Sequence, residues 1–497
     1  MRGETLPEDQ QVYRVQVVSA FLKAGVPLTK IEYFRELLED HAYRLTDRRN
    51  MHDYVPFILQ QEEKRIHDEI TGKVLSVVFD GTARLGEALA IILRFVSDDW
   101  VIQQRLVRVQ LLTKSLSGEE IARELISILS VTYGVQSTQL LGAMRDRTST
   151  NNVAMQTMKI VYPNLIDIGC YSHMIDQVGN LFNTTILNEF MSAWIGMFSH
   201  SFKARALWKE RADSSVKSYS ATRWWSKWEV MRQLMVYFGD LRPFVEENDD
   251  IAPANRLKIL GIIQDSGKLT HLKVELAATI DVGEPFVKAC YYLEGDGPLV
   301  LYCYETVDKL LAAIRTNHMP NVNANVQSLT SKPLSDPQSV KWISYAKSCV
   351  KPGLDYFKRQ LSTSMKSSLQ VFKGCRLFLP QKICVMNVDA DKVKEALLPI
   401  PFLSSKVELD QLLAELPAYL ASAADTSNEV DPVEWWRNNA ATLPCWSAAA
   451  AKILLLQPSS AAAERVFSIL LNCFGEQQDR ALQDYIEASL MLQYNKR

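Results

Sequence analysis

The chain has 497 residues, 47% hydrophobic and 23% charged, with a formal net charge of −2 at neutral pH. Such a balance is that of a folded globular protein of roughly two to four domains, and it excludes a globally basic nucleic-acid binder, so any basic face must be local. No apolar run of about 18 residues is present to span a bilayer, Met1 to Gln11 is polar and unlike a signal peptide, and the eight cysteines form no C-x-x-C pair, so neither a disulfide framework nor a zinc finger is supported.

In chain order, residues 1–70 read as helical, with apolar residues at helical spacing in Val12–Ala24 and Ile31–His41 and a longer charged helix over Asp53–Ile70. The pattern changes at Lys73, where a β-branched run to Phe79 ends in Asp80-Gly81 and reads as a buried strand closed by a turn. Ala88–Val96 and Gln104–Leu112 follow as second and third strands. Ser117 is positioned to cap a helix that runs to about Ser130, and Gln139–Met144 is a short apolar segment leading to Asp146. Thr148–Val161 reads as a helix, Leu165–Gly169 as a strand and His173–Phe182 as a helix. Three consecutive strands suggest a meander, and the later alternation suggests parallel strands with helical crossovers. Residues 235–430 are helical in pattern, interrupted by an Asn-, Ser- and Pro-rich stretch from Asn317 to Pro337 that reads as a linker or exposed loop. Gly295-Asp-Gly-Pro298 reads as a turn within that helical region. The last 65 residues return to dense apolar helices, over Ser447–Leu456, Pro458–Leu471 and Leu482–Tyr494.

Three acids stand out by position. Asp80 ends the first buried strand, where the sheet would fix its carboxylate, although a turn aspartate before glycine is the plainer reading. Asp146 follows the fourth apolar segment between Arg145 and Arg147 and would lie on a strand beside the first; a surface Arg–Asp cluster is the alternative. Two such carboxylates can share a pair of divalent cations about 3.5–4 Å apart. Glu464 lies on a helix whose packed face is Ala463, Val466, Phe467 and Leu470, and a surface glutamate is the default there. From Ser201 to Arg232 eight cations, Lys203, Arg205, Lys209, Arg211, Lys217, Arg223, Lys227 and Arg232, stand against Glu210, Asp213 and Glu229. Trp208, Trp224, Trp225 and Trp228 are interleaved with them; cations neutralise phosphates and exposed indoles stack on unpaired bases, whereas tryptophans at helical spacing are more often core.

The string Ser459-Ser-Ala-Ala-Ala-Glu-Arg-Val-Phe-Ser468, with Trp435-Trp436 before it and Asp479-Arg480 after it, resembles the C-terminal dimerisation region of hAT-family DNA transposases. Cys170-Tyr-Ser-His173 resembles the C-x-x-H signature of that family, and Thr222-Arg-Trp-Trp-Ser226 its T-R-W-x-S segment. The resemblance implies an α/β fold with a ribonuclease-H-like mixed sheet flanked by helices, interrupted by a large all-helical insertion. The corresponding domains are a helical region at 1–70, a first core part at 71–234, the insertion at 235–430 and a C-terminal part at 431–497 that completes the core.

By resemblance, Asp80, Asp146 and Glu464 are the catalytic, metal-binding triad for Mg²⁺ (or Mn²⁺). Asp80-Gly-Thr82 departs from the family's usual string at the first acid, and Asn151 and Asn152 lie further from Asp146 than the family spacing, so Asp167 stands as the alternative second acid. DNA contacts are implied for Cys170, His173, Arg223, Trp224, Trp225 and Arg465, with Trp224 supporting a flipped base. Cys170 and His173 alone do not make a tetrahedral zinc site. The apolar C-terminal helix, with Phe467, Leu470 and Leu471, offers a dimerisation surface, a core role being equally compatible. The implied function is metal-dependent DNA strand cleavage and transfer by a nuclear homodimer or higher homo-oligomer. No membrane and no small-molecule cofactor is expected, and the family's N-terminal BED-type zinc finger is absent from the sequence. The alternative is a domesticated, non-catalytic, dimerising protein associated with nuclear DNA.

Overall fold

The computed structural model describes residues 7–39, 43–82, 87–112, 114–199, 201–220, 223–474 and 482–496. Thr222, Asp479 and Arg480 of the motif strings lie outside the described residues. The fold is mixed α/β, with one five-stranded sheet among the described residues and two compact units.

The first unit comprises Met1–Cys170, Gly295–Tyr302 and Ser367–Arg497. Its strands are β1 (Leu75–Thr82), β2 (Glu87–Val96), β3 (Ile102–Leu112), β4 (Leu140–Arg145) and β5 (Ile166–Gly169), in the order β3-β2-β1-β4-β5. The first three form the antiparallel meander, and β4 and β5 add in parallel beside β1. The crossovers carry the helices Gly118–Ile126 and Ser149–Val161. Ser117 closes a capping box with Glu120, and the Thr148 hydroxyl accepts from the Asn151 amide, so both helix starts lie where the cap residues place them. The first of these helices does not run on as α-helix to Ser130; it widens into a π-helix over Ser127–Thr132.

β1 corrects one expectation. The strand does not stop at Asp80-Gly81: Asp80, Gly81 and Thr82 stay paired with Ala90, Leu89 and Ala88. The residues from Leu75 to Asp80 are all buried, as expected of a central strand covered on both faces. Much of one covering comes from the chain's end. The helix Ala461–Phe474 lies on β1 and β2, and Gln483–Tyr494 lies on β3 and on the N-terminal helices Glu8–Ala24 and Val55–Ile70. The hydrogen bonds there are long-range: the Ser76 hydroxyl donates to the Leu455 carbonyl at 2.6 Å, and the Asn495 side chain accepts from the Leu106 amide at 2.7 Å. Pro458 does not open the helix that follows; Pro458-Ser-Ser460 forms a buried lead-in to it. Trp435 and Trp436 are core: with Tyr419 and Trp446 they form an aromatic cluster, in which the Trp436 indole donates to the Phe378 carbonyl at 2.9 Å.

The second unit comprises Tyr171–Glu294 and Cys303–Lys366 and is built on the long helices Ser266–Leu293 and Pro337–Ser362. Two expectations are overturned. Within the stretch Asn317–Pro337, Pro320–Thr330 is a helix, its start supplied by proline in the first turn and by Asp281, whose carboxylate accepts from the Asn321 and Val322 amides. The turn at Gly295–Pro298 belongs instead to the sheet-bearing unit, where the Gly297 carbonyl accepts from Arg94. No helix of the described residues is long and apolar enough to cross a membrane.

Helix starts in this chain are often capped from a distance. Arg223, Met319 and Leu443 occupy N-cap positions with no capping side-chain bond of their own. Buried or half-buried carboxylates on other helices do the work: Asp176 for Trp224 and Trp225, Asp281 for Asn321 and Val322, and Glu415 for Cys445 and Trp446. Glu275 serves the start of Thr185–Ser199 in the same way, through the Leu187 amide. Each satisfies amides that a helix start leaves without partners.

Candidate functional site

The site is set by strand pleat. In β1 and β4 the register pairs Ser76 with Gly142 and Val78 with Met144. The same offset (142 minus 76, or 66) carries Asp80 opposite Asp146, two residues past the last paired position. Alternate residues share a face, so Ser76, Val78 and Asp80 look out on the side of Gly142 and Met144; Asp146 lies one residue past the end of β4 and does not join Asp80 and Glu464 in a group whose ligand atoms all lie within 4.8 Å of one another. That side receives the C-terminal segment, because Ser76 bonds Leu455 and a Cβ on Gly142 would lie 2.6 Å from Leu456 Cδ2.

Along this face the helix Ala461–Phe474 brings in Glu464. Carboxylate oxygens of Asp80 and Glu464 lie within 4.8 Å of each other, although the residues are 384 positions apart (464 minus 80). Asp80 is 5% exposed and its Oδ1 accepts from the Gly81 amide at 2.8 Å, while Glu464 is half-buried. Two partly desolvated carboxylates at this separation repel, and a shared cation relieves the repulsion. Hard carboxylate oxygens suit Mg²⁺ or Mn²⁺, so the donor set fits the expected ion. Asp146 is half-exposed and its Oδ1 is engaged at the start of the next helix by the Thr148 hydroxyl at 3.3 Å and by the Asn151 side-chain amide. Arg145 steadies its backbone, donating to the Asp146 carbonyl at 2.8 Å.

Asp167 does not replace Asp146. It pairs in register with Ala143, on the pleat face opposite Asp80, and its carboxylate is gripped by Arg145 at 3.1 and 2.9 Å. Cys170 is 2% exposed and its sulfur accepts from the Ser460 amide at 3.3 Å, tying the end of β5 to the lead-in of the Glu464 helix. This contact is structural and leaves the thiol away from solvent. Arg465 pairs with Asp296 at 2.8 Å.

The expected dimer surface is redistributed. Phe467 and Leu470 are 7% and 1% exposed and belong to the core of their own chain, while Leu471 is half-exposed. They lie on the helix that covers β1 and β2, so their burial is already taken up within one chain.

In the helical unit, His173 stands in the first turn of Tyr171–Asn180. Arg223 is buried and its guanidinium lies 3.4 Å from Glu294. Trp224 is 6% exposed; a Cβ on Gly179 would sit 1.9 Å from its ring, and a Cβ on Gly283 2.7 Å from it. Those two glycines exist as beds for an indole, so Trp224 is core and not a platform for a flipped base. Trp208 and Trp228 are buried as well. Trp225 differs: it is half-exposed and leans on Tyr291, itself 43% exposed, with ring centroids 4.7 Å apart. The basic stretch is also quieter than its composition suggests. Lys203 pairs with Asp250, Arg211 with Glu247, Arg223 with Glu294, Arg205 donates to the carbonyls of Phe198 and Ser199, and Lys227 donates to Asn188. Burial also lowers the affinity of the Lys227 amine for its proton. The acids that answer these cations come from outside the stretch.

Sequence reasoning missed Asp176. It is 6% exposed, accepts from the Trp224 amide at 3.0 Å and the Trp225 amide at 3.1 Å, and burial pushes its pKa up against the pull of those two bonds. A clue exists in the Thr-Arg-Trp-Trp-Ser string, where a helix starts without a capping residue of its own.

Against known proteins, residues 408–495 match the family model described as the hAT family C-terminal dimerisation region. No curated protein matches the chain. The matched segment includes Glu464 and the two helices that cover the sheet.

Proposed function

We propose, from the premise that residues 408–495 form a dimerisation region of hAT type, that this is a transposase-like protein which binds DNA as a homodimer or higher homo-oligomer and cleaves its strands with the help of a divalent metal. The observation that carries the reading is the meeting of Asp80 and Glu464 beside the strand that leads into Asp146. The meander-then-parallel order β3-β2-β1-β4-β5, with Asp80 within β1 and Asp146 just past the end of its parallel neighbour β4, supports a ribonuclease-H-like core.

Asp80, Glu464 and Asp146 would hold Mg²⁺ or Mn²⁺. When bound, such an ion supplies a Lewis acid for the phosphate and a lowered pKa for the attacking water. The protein's own part is placement. Asp80 is held by strand pairing on one side and by the Gly81 amide at its oxygen. Glu464 is carried in by a helix whose alanines, Ala461, Ala462 and Ala463, are buried and permit close approach. Asp146 is restrained by Thr148 and Asn151, and its engagement there would loosen to complete a metal shell. DNA contact by the helical unit would come through Trp225 and those exposed cations that phosphates can win from surface acids. The nucleus is the expected location for such an activity.

The test is nicking of supercoiled plasmid with Mg²⁺ or Mn²⁺ by wild type, Asp80→Asn and Glu464→Gln. Wild-type cleavage at least 100-fold above either variant is expected. Equal signal from all three would remove the enzymatic reading and leave a dimerising, non-catalytic DNA-associated protein. Light scattering on the wild type should give a multiple of 56.4 kDa.

A further inference from the structure

The sheet-bearing unit has a second feature away from these acids. At the β2–β3 hairpin end, a cleft of about 720 Å³ is lined by Arg94, Trp100, Gln104, Val433, Arg437 and Tyr494, with Asp99, Asp296, Asp431, Glu434 and Arg465 around it. Arg94 is 1% exposed. It pairs with Ser76 across the strands, four residues along β1 from Asp80 (80 minus 76), or about 13 Å at roughly 3.3 Å per residue.

The guanidinium of Arg94 is buried with no carboxylate bound to it. Nε donates to the Leu454 carbonyl at 3.2 Å, Nη1 to Gln457 Oε1 at 3.4 Å and Nη2 to the Gly297 carbonyl at 3.3 Å. A guanidinium has five N–H donors, so one donor on each terminal nitrogen is left over among the described residues. Those two make the fork that fits an oxyanion in bidentate fashion. Burial pushes its pKa down to about 10, and the nearby charges of Tyr494 and Asp296 only partly oppose that. None of the acids around the cleft hydrogen-bonds Arg94: Asp296, whose charge it feels, is paired with Arg465, Glu434 with Arg437, and Asp431 accepts from the amides of Val433 and Glu434. Asp99 is exposed on the hairpin turn.

Two further observations point to a ligand. The cleft volume is in the range of small-molecule sites. Trp100, on its wall, takes the left-handed position, with φ of 63°, of the tight Ser97–Val101 hairpin turn, which fixes where its side chain starts. An aromatic ring beside a cationic fork suits a ligand with a planar group and a charged one.

We infer that this cleft binds the phosphate group of a nucleotide, its oxygens on the remaining N–H donors of Arg94 and its planar base against Trp100. The ligand and the C-terminal segment then share one guanidinium, because Arg94 also holds Leu454 and Gln457, just ahead of the Glu464 helix. The phosphate could equally belong to a free mononucleotide or to a DNA backbone, and the probes separate the two.

Full-length protein is titrated with inorganic phosphate, adenosine monophosphate and a short DNA duplex. Tryptophan fluorescence and isothermal calorimetry are read, with Trp100→Phe identifying the responding ring. Saturable binding is expected, weakened at least tenfold in Arg94→Lys, which keeps the charge and loses the fork. Val433→Trp narrows the cleft from a different element and leaves Arg94 in place, and should abolish binding even if Arg94 variants fail to fold. Monophosphate binding that duplex cannot displace assigns the cleft to a free nucleotide; displacement of phosphate by duplex, lost in Val433→Trp, assigns it to a DNA phosphate. No saturable binding of any probe, or undiminished binding in Val433→Trp, overturns the inference.

Discussion

At the scale of single residues, neighbours in sequence have opposite fates. Trp224 and Trp225 are adjacent, yet the first is wedged against Gly179 and Gly283 while the second leans on an exposed Tyr291. Trp224→Ala is therefore expected to cost about 3–5 kcal/mol in chemical denaturation. Trp225→Ala should leave stability within about 1 kcal/mol and weaken single-stranded DNA binding by about 1–3 kcal/mol, the worth of one stacked base. Asp176 titrates with consequence as well. Burial raises its pKa, as it does for Glu275 and Asp281, so the folded state holds these protons more tightly than the unfolded one. Their contribution to stability is then largest below the ordinary carboxylate range and is lost as pH rises through the raised folded values. Asp176→Asn should flatten that fall in unfolding free energy as pH rises above the ordinary carboxylate range, while removing one of two amide bonds at the start of Trp224–Val236. An unchanged pH slope would show that this carboxyl is not the titrating group. The twin-tryptophan string announced an aromatic site, but which ring is exposed depends on glycines 45 residues upstream and 59 downstream of Trp224 (224 minus 179; 283 minus 224).

At the scale of elements, strands and cap signals were legible to within a few residues. Apolar runs, β-branched in the first, gave β1 to β5, and Ser117 and Thr148 stand at the N-caps their side chains suit. The errors share one cause, which is that partners lie elsewhere in the chain. Pro320–Thr330 reads as a loop because of its Asn and Ser content, yet a carboxylate from Ser266–Leu293 stabilises its first turn. β1 outruns its turn signal because β2 continues to pair with it. The junction between β4 and the C-terminal segment is similarly specified by fit. Gly142→Ala places a methyl 2.6 Å from Leu456 Cδ2 and should destabilise by about 1–3 kcal/mol. Leu456→Ala in the same chain should recover part of that loss, since the clash is with the tip of a flexible side chain; a strictly additive pair would rule out this contact as the cause.

At the scale of the whole molecule, the segment matched to a dimerisation region is also part of the fold of one chain. It supplies the Leu454 and Leu455 carbonyls to Arg94 and Ser76, the Glu487 carboxylate to Arg108 at 3.2 Å, and Asn495 to the edge of β3. Removing residues 431–497 should thus give aggregated or unfolded protein in size-exclusion chromatography, not a well-behaved monomer; a folded, monodisperse truncation would show that the segment serves association alone. The sequence by itself determined the element types, the capped helix starts and the three acids worth watching, because periodicity, propensity and cap chemistry act over a few residues. Only tertiary structure decided that Asp80 meets Glu464, that Asp167 faces the wrong side of the pleat, that Phe467 and Leu470 are core, and that Arg94 lies buried with no carboxylate hydrogen-bonded to it. Pleat parity, burial and charge pairing depend on which distant segments meet, and no local pattern encodes that.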